Sequence, residues 1–121
     1  MNRTNVIMVT ALLALGMLLS GSNARAQEPP KMPYVFEKNC FLCHKSPERT
    51  GPIGIYDMRS KSGNPLHEQY IRNNVRSGQN AMPAFRISEV NPKGLNAIVT
   101  YLKEMAEYRK THPGYKPTPT E

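Results

Sequence analysis

Cys40, Cys43 and His44 stand together in "NCFLCHKS" and include both cysteines of the 121-residue chain. Two thiols and an imidazole at this spacing can do four kinds of chemistry. They can close a disulfide, supply part of a zinc site, cycle as a dithiol redox pair, or anchor a larger group. A disulfide across two residues closes too small a loop to hold a domain together. Zinc needs a fourth ligand and normally a second Cys or His pair, whereas His67 and His112 are solitary. A thioredoxin-type pair sits where a strand passes into a helix, and no strand pattern precedes Cys40.

Cys-x-x-Cys-His is also the attachment sequence of c-type haem. The chemistry explains the spacing: two thiols add across two vinyl groups as thioethers, and the adjacent imidazole reaches the iron. On a helix the three positions share a face. The motif therefore predicts one haem c bound covalently through Cys40 and Cys43, with His44 on the iron.

A sixth ligand is then sought among Met32, Met58, Met82 and Met105, with His67 and His112 as alternatives. Met105 continues the apolar stripe of a helix and reads as core. Met32 is too near Cys40 to cross the haem easily. Met58 follows His44 by too short a path to leave the proximal side or the haem edge. Met82 lies in "GQNAMPAF", a loop that Pro83 keeps from becoming helical, and it can approach the opposite face. Met82 is the expected ligand, and Met58 the runner-up.

The elements that must position these side chains begin after residue 26. Arg3, the apolar run from Val6 to Ser20 and the small-x-small Ala24-Arg25-Ala26 read as a signal peptide over residues 1–26. The run is short for a membrane span, which takes about 20 residues. The expectation is export to the periplasm, with no membrane span after cleavage. The chain is basic, with a formal net charge of +7. Its charges are scattered, and export also argues against a nucleic-acid partner. With three Phe and no Trp, so small a core needs a staple such as a cofactor.

Three helices are expected. The first spans about Pro33 to His44. The second opens at Asn64-Pro65 as N-cap and first helical residue, carries Leu66, Tyr70, Ile71 and Val75 at helical spacing, and stops at Gly78. The third opens at Asn91-Pro92 and buries Leu95, Ile98, Val99, Leu102, Met105 and Ala106, fading near Lys110. Residues 45–63 and 78–90 are long aperiodic loops, which make sense if they wrap a cofactor. A monohaem domain over residues 27–110 is thus followed by a flexible Pro/Thr-rich tail over 111–121.

The order Cys-x-x-Cys-His, Gly-Pro, helix, Met-Pro, then a helix with Tyr101-Leu102 resembles a small class I cytochrome c over Pro33 to Lys110. The resemblance implies an all-α fold of about three main helices with long loops around one haem. It implies that the Pro52 carbonyl accepts the Nδ1 proton of His44, and that Phe36 and Tyr101-Leu102 mark where the first and last helices cross. This chain lacks the glycine that such proteins often carry early in the first helix to allow that crossing.

Further, "YIRNNVRSGQNAMPAFRISEV" is similar to the cytochrome subunit of flavocytochromes that oxidise 4-alkylphenols, the p-cresol methylhydroxylase and eugenol hydroxylase type. That likeness implies a one-electron carrier with no catalysis of its own. Its donor would be a flavoprotein dehydrogenase or hydroxylase subunit, and its acceptor a copper protein, another cytochrome or an oxidase. Two other readings compete: a freely diffusing cytochrome c shuttle, and a five-coordinate haem protein that binds a gas or peroxide. Four-helix cytochromes of the latter sort carry the attachment motif near the C-terminus, unlike this chain.

Overall fold

The computed structural model describes residues 27–45, 53–60 and 62–119. The leader expected over residues 1–26 lies outside them. The described residues are all-α, as expected: helix α1 over residues 34–44, a 3₁₀ turn at Ile53–Asp57, α2 at Glu68–Ser77 and α3 at Pro92–Thr111. No helix among them is long and apolar enough to cross a membrane.

α1 begins where expected. Pro33 is extended (φ −72°, ψ 141°), and its carbonyl accepts from the N–H groups of Phe36 and Glu37 at 2.9 and 3.1 Å. The helix then changes pitch: Tyr34–Phe36 is α, Glu37–Phe41 is π, and Leu42–His44 is α again. A cause is visible at Asn39, whose side-chain amide donates to the Val35 carbonyl at 2.9 Å. In an α pattern that carbonyl would take the N–H of Asn39, so the side chain competes with its own backbone. The wide turn has a packing consequence. Residues four apart drift around a 3.6-residue helix, but i→i+5 turns take up the excess. Phe36, Cys40 and His44 are all buried.

α3 follows its sequence signals closely. The Asn91 side chain accepts from the Gly94 N–H at 2.7 Å, Pro92 opens the helix, and Leu95, Ile98, Val99, Tyr101, Leu102, Met105 and Tyr108 are buried. α2 starts later than Asn64-Pro65 suggests. Pro65 instead faces Arg59 in an antiparallel bridge, where Ser60 N–H donates to Asn64 O at 2.8 Å and Leu66 N–H to Met58 O at 2.7 Å. The chain stays extended through His67, and helix begins at Glu68. An Asn-Pro pair is equally good at entering a turn, and here the pairing with residues 58–60 decides.

The core sits where α1, the 3₁₀ turn and α3 meet. The Phe36 ring lies 5.9 Å from that of Tyr56 and 5.1 Å from that of Tyr101. The glycine missing from α1 is supplied from the other side: a Cβ on Gly94 of α3 would stand 3.2 Å from Val35 Cγ2. Arg109 of α3 forks onto both carboxylate oxygens of Asp57 and donates to the Tyr115 carbonyl. Residues 112–119 run on from α3, with the His112 ring stacked 4.0 Å from Tyr108, Tyr115 edge-on to Tyr108, and Pro117 buried.

The two Asn-Pro pairs make a test of this reading. Asn91→Ala, losing a helix cap, should cost about 1 kcal/mol of holoprotein stability. Asn64→Ala should stay within about 0.5 kcal/mol, as for an exposed residue. Chemical denaturation of both variants checks the difference.

Candidate haem site

On α1 the two thiols face different surroundings. Cys40 is buried and Cys43 exposed, and neither is in a disulfide. Cys40 and His44 are each 8% exposed. Burial, with a smaller contribution from Cys43, pushes the Cys40 thiol up to about 12. A thiol so raised is a poor nucleophile for dithiol exchange at neutral pH. Among the described residues, no three His, Cys, Asp or Glu side chains are grouped to hold a metal ion. Two unbridged thiols one helical turn apart, beside a buried imidazole, are a donor set that fits covalent attachment of a haem. Pro52, the expected partner of His44, lies outside the described residues.

Met82 is carried by a loop that leaves and rejoins the last turn of α2. Gly78 ends the helix, its N–H donating to Asn74 O at 2.8 Å. Gln79 and Met82 then exchange backbone hydrogen bonds, both 2.9 Å, across a two-residue turn in which Asn80 has φ 55°. Tyr70 of α2 donates from its hydroxyl to Gln79 Oε1 at 2.9 Å. At the far end Phe85 N–H donates to Val75 O at 2.8 Å, and Arg76 Nη1 donates to Phe85 O at 3.1 Å. Within residues 79–84 every residue is exposed except Met82, which packs against the buried core. The loop turns one side chain inward, and it is the thioether.

The other candidates are placed differently. Met32 and Met105 are core residues, 3% and 0% exposed. His67 is the exposed residue before α2, and His112 is stacked on Tyr108. Met58 has φ 50° and lines a surface concavity of about 810 Å³ with Asp57, Leu66, Lys103 and Glu107. None of Cys40, Cys43, His44 and Met82 lines that concavity.

Sequence reasoning missed the residues that shape the loop. Gly78 read only as a helix stop, although a glycine just past a helix end is the usual sign of a left-handed turn. It has φ 72° and ψ 168°, and a Cβ there would lie 2.7 Å from Met82 O, 2.9 Å from Ala84 N and 3.1 Å from Pro83 C. The backbone beside Met82 crosses directly over a space that only glycine leaves open.

Residues 27–102 match the family described as cytochrome c oxidase, cbb3-type, subunit III. The chain is 30% identical over 101 residues to the 4-cresol dehydrogenase (hydroxylating) cytochrome c subunit of Pseudomonas putida, covering 83% of each protein. No solved structure matches the chain at a significant level.

Gly78→Ala is expected to cost about 1–3 kcal/mol from the backbone conformation alone. The clash adds to this and displaces the segment 82–84. Denaturation of the holoprotein measures the first effect, and the weak near-infrared band of methionine–iron ligation reports the second.

Proposed function

Because this chain belongs to the cytochrome c family, we propose that it is the electron-accepting cytochrome subunit of a flavoprotein alkylphenol dehydrogenase or hydroxylase. In this reading one haem c is attached through Cys40 and Cys43, with His44 and Met82 on the iron and the Pro52 carbonyl orienting His44. The haem would supply a one-electron couple, whose potential ligation by methionine would raise. The observation that carries the partner assignment is the 30% identity, over 83% of each chain, to a cytochrome subunit of a 4-cresol dehydrogenase.

The chain's own residues supply attachment, orientation and exclusion of water. Cys40 and Cys43, one turn apart on α1 and unbridged, would hold the haem as thioethers. His44 lies on the same core-facing side of α1, one turn on. Met82 is half-buried behind the exposed small residues Ala81, Pro83 and Ala84. Such a surface allows a partner to come close without burying unpaired charge. A two-electron dehydrogenase feeding this carrier hands over its electrons singly, and each passes on to a copper protein, a second cytochrome or an oxidase before the next arrives. The leader expected over residues 1–26 supports a periplasmic site for this exchange.

Met82→Ala should abolish the near-infrared methionine band, lower the reduction potential and let carbon monoxide bind the reduced protein. The assignment fails if Met58→Ala does this and Met82→Ala does not. The partner is tested by co-expression with a flavoprotein alkylphenol dehydrogenase subunit. Stable copurification with phenol-dependent haem reduction is expected. Weak association abolished by moderate salt would instead mark a diffusing shuttle steered by its basic surface.

A further inference from the structure

We propose that Arg76 is a positioning residue for Met82, holding the thioether in place through the carbonyl of Phe85; the inference rests on the reading of Met82 as the iron ligand. Both backbone groups of Phe85 are held by consecutive residues of α2. Its N–H donates to Val75 O at 2.8 Å, and its carbonyl accepts from the Arg76 guanidinium at 3.1 Å. Phe85 is three residues beyond Met82, so this double attachment fixes where the loop ends. The loop's start is fixed on the adjoining residues Gly78 and Gln79.

Arg76 is suited to that task and occupied by little else. Among the described residues it makes no ion pair with a carboxylate, whereas Arg72, Lys103, Arg109 and Lys110 each do. The contact is partly buried, and a hydrogen bond from a charged donor is stronger than one between neutral groups. The two ends of the loop are unequal. The Gln79–Met82 pair of bonds is internal to the loop and moves with it. The Arg76–Phe85 bond ties the loop to the helix from outside. Without it the end of the loop keeps the Val75 bond and the packing of Phe85 but loses its charged tie, and Met82 is held less closely.

Two variants of the holoprotein test this, Arg76→Leu and Arg76→Lys, each with the haem attached. Losing one charge-assisted hydrogen bond should raise the rate of carbon monoxide binding to reduced Arg76→Leu roughly tenfold. It should also make the near-infrared methionine band fade well below the temperature of global unfolding. Arg76→Lys, which keeps a charged donor, should restore most of both properties. If Arg76→Leu lowers the unfolding temperature while band and carbon monoxide rate follow the wild type, Arg76 is merely structural and the proposal falls. If the wild type shows no such band, or keeps it in Met82→Ala, the ligand assignment itself falls and takes this proposal with it.

Discussion

The crossing of α1 and α3 is the contact on which the rest depends. Phe36, Tyr56 and Tyr101 pack as a triangle of rings, and the missing side chain of Gly94 lets Val35 come within van der Waals reach of the α3 backbone. That contact sets the axis of α1 and with it the directions of Cys40 and His44, one and two turns further on. Ring area carries the crossing. Aromatic pairs of this kind add about 0.5–1.5 kcal/mol beyond burial. The hydroxyls of Tyr56 and Tyr101 are both buried, and neither has a hydrogen-bond partner among the described residues. Burial correspondingly pushes both phenols above their usual range.

The second half of the site is built on a different principle. α1 is held by packing, whereas the Met82 loop is held by a set of directed hydrogen bonds to one helical turn. A loop that leaves and rejoins the same turn has a fixed contour, and its closure entropy is small because few residues are enclosed. Pro83 removes a donor and narrows the conformations of Met82 before it. Gly78 lets the returning backbone pass over the helix end. The inward turn of Met82 is therefore a consequence of loop closure, with no large apolar neighbour in residues 79–84 to enforce it.

Much of this was legible in the sequence. The α3 stripe from Leu95 to Met105, its Asn91 cap and the core role of Met105 all followed from periodicity and cap chemistry. The spacing of Cys40, Cys43 and His44 and the position of Met82 in a proline-bounded loop were equally plain. What could not be read depended on competition between nearly equal local choices. Asn64-Pro65 can open a helix or enter a turn, and pairing with Met58 and Ser60 selects the turn. Asn39 can sit in an α-helix or divert a carbonyl and widen it to π. The close-approach glycine was sought in α1, where such proteins often carry it. The crossing needs only that one of the two helices lack a Cβ, and Gly94 meets the requirement from α3. Arg76 stood in the stretch that carries the likeness to alkylphenol flavocytochrome subunits, but a bond from its side chain to a carbonyl nine residues on leaves no trace in spacing or composition.

The two halves also differ in how firmly they are fixed. α3 buries seven side chains, and its tie to the 3₁₀ turn through Arg109 and Asp57 is partly buried. α2 buries only Ile71 and Val75. Its side-chain ties to α3, Arg72 to Asn96 and Glu68 to Lys103, are exposed. Exposed pairs of this kind contribute about 0–1 kcal/mol. Regions with few buried contacts and exposed bonds open first, so α2 and its loop form the less stable unit, and α1 belongs to the more stable one. Covalent bonds at Cys40 and Cys43 would tether the cofactor whatever the rest of the chain does. A thioether ligand has no such tether, and its place is kept only by the loop that bears it. The hydrogen bonds between α2 and the Met82 loop stand where packing is thinnest, and there the loss of a single donor has the least support from its neighbours.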